Sequence, residues 1–136
     1  MNPRDGLVLD IGRIDSLSIE LSSRAYAVGI LSRFLERLPG RLGSVHGNLR
    51  EGQSEGALIA ILSVATSAAM TGALQLEAQS REVERQIRAG DLAAARVAAG
   101  GLDTNAADFA QQARELFGSE ATEAQRSAPE QILQAA

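Results

Sequence analysis

The residues able to carry chemistry are few in this chain and lie far apart. Its 136 residues include no Cys and one His, His46, and all 13 basic residues are Arg. Without thiols the chain has no disulfide framework, and one imidazole is too few for a His-based zinc site. No step can use a lysine amine. We therefore expect no metal, no cofactor and no enzymatic activity.

Hydroxyl groups occur on the longest uncharged stretch, Gly56 to Leu76, at Ser63, Thr66 and Ser67. Phosphoryl relay requires a nucleophile that gives a labile adduct, with donors or cations for the phosphate oxygens. A phosphoserine ester is too stable for relay, and no base lies nearby in the sequence. Such hydroxyls commonly bond a carbonyl of the preceding helical turn. We interpret them as structural.

His46 follows Val45, which places it roughly 100° from the apolar stripe of its helix. The ordinary interpretation is a solvated or boundary histidine. A phosphoacceptor role is an open alternative, although neither Lys nor an acidic residue is spaced beside it. Glu77, Glu82 and Glu84 lack the Glu-x-x-His pattern of di-metal bundles.

Composition limits the partners and the location of the chain. A net charge of −4, a pI near 5.0 and the absence of Trp and of a basic cluster argue against nucleic-acid binding. The first ten residues show no signal-peptide pattern, which predicts a cytoplasmic protein. Gly56–Leu76 is long enough to span a membrane. Its small and hydroxyl residues, and the absence of positive-inside asymmetry, favour a bundle helix instead.

Hydrophobic periodicity predicts helices and no strands. A short helix is expected from about Ile14 to Leu21, and a long one from about Arg24 to Arg50 with a kink at Pro39. The uncharged helix should end near Thr71. Its successor should end at Gly90 in the left-handed conformation, and Asp91 should cap a last helix that Gly100 and Gly101 weaken. Two apolar stripes support these helices: Val28, Leu31, Leu35, Leu38, Leu42, Val45, Leu49; and Leu92, Ala95, Ala99, Leu102, Ala106, Phe109, Ala113, Leu116.

The chain divides into three parts. Residues 1–12 are expected to form an arm whose Leu7, Leu9 and Ile11 pack on one end of a bundle. Residues 13–117 should form the bundle, and residues 118–136 a polar, mobile tail. Short connections favour antiparallel neighbours, hence an all-α, up-down four-helix bundle with a short extra N-terminal helix.

The order of the segments resembles the histidine-containing phosphotransfer (HPt) domain of bacterial phosphorelays. "LSRFLERLPGRLGSV" is similar to the second helix of that family, which often carries F-L-x-x-L-P. "TGALQLEAQSREVERQIRAGDLAAAR" is similar to the segment after its active-site helix. The resemblance covers about residues 9–116 and implies an antiparallel HPt-type bundle. Each motif is degenerate alone, and the order and spacing carry the specificity.

The resemblance places Leu62 at the position of the phosphoaccepting His. Ala65 stands where a Lys is expected and Thr66 where a Gly is expected, so the resemblance implies a domain that has lost its phosphate chemistry. Ile61, Val64, Ala68 and Thr71 should then face the core. The face toward a receiver domain should comprise Leu58, Leu62, Ala65, Thr66 and Ala69.

Three functions remain open from the sequence. The first is a pseudo-phosphotransfer module that binds a receiver domain or histidine kinase of a two-component pathway without carrying phosphate. The second is a self-associating structural or scaffolding bundle, for instance a homodimer joined through the same face. The third is a working relay that uses His46.

Overall fold

The computed structural model describes residues 8–127, which form a bundle of α-helices without strands. The helices are α1 (Ile11–Glu20), α2 (Arg24–Arg50), α3 (Ser54–Thr71), α4 (Leu74–Arg88), α5 (Leu92–Ala99) and α6 (Leu102–Ser127). The all-helical prediction is therefore confirmed for this part of the chain. The observed bounds of α2 agree with those expected from its stripe, and α2 continues through Pro39 without interruption.

Capping residues explain several helix ends. Asp10 accepts a hydrogen bond from the backbone N–H of Gly12, and α1 therefore starts three residues earlier than expected. Ser23 and Asp91 cap α2 and α5 in the same way, through Tyr26 and Ala94. Gly90 has a φ of +78°, which confirms the left-handed residue predicted between α4 and α5.

Helix α2 is the centre of the bundle. It packs on α3 along one side and on α6 along another, while α4 packs on α3, α5 and α6. Six of the seven residues in its apolar stripe are buried, as is Phe34, and Leu35 is half-buried. The Phe34 and Phe109 rings meet across α2 and α6 with centroids 5.9 Å apart. Aromatic pairs of this kind add to the stabilisation that burial provides.

Contacts along α2 establish the direction of its neighbours. On one side, residues of α2 meet residues of the α5–α6 segment in opposite chain order, so this segment as a whole runs antiparallel to α2. The pairs are Leu49 with Arg96, His46 with Asp103, Phe34 with Phe109, and Arg24 with Glu120. On the other side, Asn48 lies against Gly56 and Arg41 against Ser67, so α3 is antiparallel to α2 as well.

The N-terminal segment is fixed to the turn between α3 and α4. The N–H of Asp10 donates to the Gly72 carbonyl at 2.8 Å, and the N–H of Leu74 donates to the Val8 carbonyl at 3.1 Å. Leu9 is buried in the core, as expected of the arm, whereas Ile11 is 52% exposed. The expectation for Leu7 lies outside the described residues.

The C-terminal half of the structure differs from the expectations at three places. The last helix is two helices, because α5 ends at Ala99 and α6 begins at Leu102 after the turn at Gly100 and Gly101. Leu116, expected in the stripe, is 48% exposed, and Phe117 is buried instead. Helix α6 also continues to Ser127, well past the expected domain boundary at residue 117. Residues 128–136 of the predicted tail lie outside the described part.

Candidate functional site

The side of α3 that faces the core consists of the residues predicted to face it. Ile61, Val64, Ala68 and Thr71 are all buried, together with Ala57. The spacing of these residues corresponds to one continuous helix side. Within residues 8–127, α3 is the helix long and apolar enough to cross a membrane by length and composition. The core helix of a helical bundle can have the same length and composition. In the structure, α3 packs along α2 and α4.

The outward side of α3 is exposed and uncharged. Ile59 is 65% exposed and Met70 39% exposed, and Ser63 and Thr66 between them are also exposed. Leu62 is half-buried at the edge of this side. Residues spaced three and four apart are neighbours on a helix surface, so these five side chains form one stripe. We call Ile59, Leu62, Ser63, Thr66 and Met70 the α3 face.

The structure corrects the position of the predicted partner-binding surface. Ala65 is fully buried, so it cannot meet a partner from outside. Leu58 and Ala69 are half-buried, and Leu58 packs against the core. Gly56 and Ser67 mark the side of α3 that contacts α2. With 3.6 residues per turn, Leu58, Ala65 and Ala69 lie on the opposite flank. The exposed surface is therefore centred on Thr66 and turned toward α2.

The hydroxyls of α3 differ in their bonding. The Thr71 Oγ1 donates to the Ser67 carbonyl at 2.8 Å, the preceding-turn bond expected of a buried hydroxyl. The Ser67 Oγ instead accepts a hydrogen bond from Arg41 of α2 at 2.9 Å. Neither arrangement supplies a base, so the hydroxyls have no activating group.

Arg41 brings a positive charge to the edge of the α3 face. Its side chain is half-buried, and burial lowers its pKa, with a further lowering from the positive charge of Arg37. Among the described residues no carboxylate forms an ion pair with Arg41. The sequence signal for this residue was weak, since contact with Ser67 spans 26 positions.

The carboxylates and guanidinium groups of α4 are neutralised locally. Glu84 accepts hydrogen bonds from Arg81 and Arg88, both at 3.0 Å. These two bonds hold the pKa of Glu84 below its ordinary value of 4.5, and the bond from Arg81 has the larger effect. Arg85 likewise bonds Glu82. The surface of α4 therefore carries charges that are largely paired with one another.

His46 lies on α2 away from the α3 face, and α6 supplies the acidic partner that the sequence did not indicate. The His46 Nε2 is 2.9 Å from the Asp103 Oδ2, and the His46 side chain is 33% exposed. While Nε2 is bonded to this carboxylate, that nitrogen is not free to accept a phosphoryl group. The arrangement thus suits a surface polar link between α2 and α6 better than a phosphoacceptor.

A shallow apolar groove follows the α2–α6 contact. It consists of two cavities of about 340 and 250 Å³, and Leu35 and Arg114 line both. Both open to the surface. In the described part of the chain, no group of three His, Cys, Asp or Glu residues is arranged to hold a metal ion.

Comparison of the chain with models of protein families, with curated proteins and with solved structures finds no match.

Proposed function

We propose that this chain is an HPt-like signalling module that binds a receiver domain or a histidine kinase of a two-component pathway without carrying phosphate. The module would act in the cytoplasm, where such pathways have their receiver domains. The fold expected from the resemblance, an up-down four-helix bundle of HPt type, is part of this proposal. Its four members would be α2, α3, α4 and the broken helix α5–α6.

The observation that carries the proposal is the uncharged α3 face. Ile59 and Met70 expose large apolar side chains on a helix that is otherwise embedded in the bundle. Fully burying one such side chain contributes about 1.5–3 kcal/mol. A face with several of them gains substantially from a partner that covers it. This face includes Leu62 and Thr66, where the resemblance places the lost phosphoacceptor and its neighbour.

The absence of a reactive group at this face supports a binding role over a relay role. Leu62 has no nucleophile, and the nearby hydroxyls of Ser63 and Thr66 have no base beside them among the described residues. The single imidazole lies on α2 and is bonded to Asp103. A module of this kind would occupy a receiver domain and thereby compete with an active phosphotransfer protein.

The test is recovery of partners from a native lysate with tagged wild-type protein and with Ile59→Arg. The substitution places a charge in the α3 face, and Ile59 is exposed enough to accept it without a fold change. We expect the wild type to recover a response regulator or a histidine kinase and Ile59→Arg to lose it. The matched control is Val97→Arg, at a residue of α5 that is 82% exposed, which should recover the same partner.

Other outcomes would contradict the proposal. Recovery of the chain itself alone, lost in Ile59→Arg, would favour the self-associating scaffold. Acid-labile phosphate on the wild type but not on His46→Ala, after incubation with a phosphorylated receiver, would favour the relay through His46.

A further inference from the structure

Arg41 of α2 lies at the edge of the α3 face and is half-buried. Burying a cation costs free energy unless an opposite charge or hydrogen bonds compensate for the lost hydration. Charges taken out of water are normally stabilised by an opposite charge or by several hydrogen bonds. Arg41 donates to one neutral hydroxyl, that of Ser67, and the like charge of Arg37 adds to the effect of burial in lowering its pKa. No carboxylate of the described chain pairs with it.

The other arginines of the bundle surface make the contrast clear. Arg33, two turns before Arg41 on α2, pairs with Glu36 at 2.9 Å. Arg24 pairs with Asp15 and Glu120, and the arginines of α4 pair with glutamates of the same helix. Arg50, Arg96 and Arg114 also have no carboxylate partner among the described residues, but these three side chains are exposed, whereas Arg41 is half-buried. Arg41 lies beside α3, which carries no charge after Glu55.

The position of Arg41 links its charge to the apolar face. Ser67, which accepts its hydrogen bond, lies four residues from Ser63 and three from Met70, so it is next to both on the helix surface. A partner seated on Ile59 and Met70 therefore approaches the Arg41 guanidinium from outside. The guanidinium group of an arginine is planar and can donate two parallel hydrogen bonds to the two oxygens of one carboxylate.

We propose that Arg41 is the anchoring cation of the α3 face and binds an aspartate or glutamate carboxylate of the partner protein that docks there. This inference rests on the proposed function, and it specifies the chemistry of the partner: apolar contact surface with an acidic side chain at its edge. On docking, the Arg41 guanidinium gains a negatively charged partner in place of its single bond to the neutral Ser67 hydroxyl.

The first test uses a defined probe in place of the partner. Octanoate, below its micelle-forming concentration, combines a carboxylate with an apolar chain, and octanol has the chain alone. Titration followed by NMR should perturb the Arg41 side chain, Ser67 and the Met70 methyl group together, with octanoate saturating at lower concentration than octanol. Arg41→Gln should weaken octanoate binding by at least about fivefold, as expected for loss of a charge-assisted hydrogen bond.

Arg50 is the matched control, since it is an exposed arginine at the end of α2 that forms no ion pair with a carboxylate in the described part of the chain and lines neither cavity of the apolar groove. Arg50→Gln should leave the octanoate titration unchanged, and Arg41→Lys should retain part of the affinity. Equal binding of octanoate and octanol, or equal loss in Arg41→Gln and Arg50→Gln, would overturn the proposal.

The second test separates this inference from the proposed function. A receiver domain captured by the wild type should bind Arg41→Gln at least about fivefold more weakly, with a smaller salt dependence. If Ile59→Arg abolishes binding and Arg41→Gln has no effect, the docking face stands and the carboxylate anchor is wrong. If no receiver or kinase binds the wild type, the proposed function fails, while the octanoate titration still decides the chemistry of Arg41.

Discussion

Gly72 allows the close approach between the N-terminal segment and the turn that joins α3 to α4. Its φ is +81°, and a Cβ placed there would lie 2.6 Å from the Asp10 carbonyl oxygen. Gly72→Ala should therefore suffer both left-handed strain and a backbone clash. Gly90→Ala is the matched control, because φ is +78° there and nothing lies within 4 Å. Urea unfolding should show a loss of about 1–2 kcal/mol for Gly90→Ala and a clearly larger one for Gly72→Ala. Equal losses in the free energy of unfolding would mean that the N-terminal segment moves away from the new Cβ with no loss of stability.

Glu84 gives the surface of α4 a pH dependence. Its pKa is lowered in the folded state by Arg81 and then Arg88, so its contribution to stability is present above the ordinary value of 4.5. That contribution is lost as the pH falls through the lowered folded-state pKa. Glu84→Gln should thus cost up to about 1 kcal/mol at pH 7 and nothing once the pH is below both values. Thermal unfolding at a series of pH values measures this difference, and a constant difference down to the most acid pH would contradict it.

At the scale of elements, the α2–α6 contact depends on Phe109. The residue is fully buried and its ring meets Phe34. Phe109→Ala should lower the free energy of unfolding by about 3–5 kcal/mol, because it removes apolar contacts and leaves a cavity. Leu116→Ala on the same helix, at a residue that is 48% exposed, should cost far less. Chemical denaturation of both variants tests the assignment, and similar losses would show that α6 packs in another register.

The elements themselves were largely predictable from the sequence. The 3-and-4 spacing of the α2 stripe depends on local geometry alone, and it gave both ends of that helix and its buried side. The break at Gly100 and Gly101 was underestimated, because the apolar spacing continues across it from Ala99 to Leu102. Apolar periodicity indicates which side of a helix faces the core. It does not reveal a turn after which the next helix presents the same side to the core. The burial of Phe117 in place of Leu116 is a shift of one position that the pattern could not resolve.

The site was predictable in part, for the same physical reason. Its helix and its inward side follow from local spacing. Ala65 was misplaced because a small side chain is covered as soon as a neighbouring helix packs on its flank, and the spacing does not reveal which flank is covered. Arg41 and Asp103 act across 26 and 57 positions, through contacts that exist only once the bundle is assembled.

For the whole molecule, the proposed function and the scaffold alternative differ in solution mass. An adaptor keeps the α3 face free for its partner, so the wild type should be a monomer by light scattering across a wide concentration range. Ile59→Arg should then have the same mass. A dimer of the wild type that Ile59→Arg converts to monomer would instead support self-association through this face.

The bonds of Val8 and Asp10 to the turn at Gly72 and Leu74 also have a consequence for synthesis on the ribosome. The two bonds connect residues 62 and 66 positions apart, and translation adds about 5–20 residues per second. The N-terminal segment is therefore made roughly 3–13 s before the turn that holds it. During that interval the N–H of Asp10 and the carbonyl of Val8 are without these two native partners. The first described part of the chain to be made thus waits for these two partners until α3 and the start of α4 have been made.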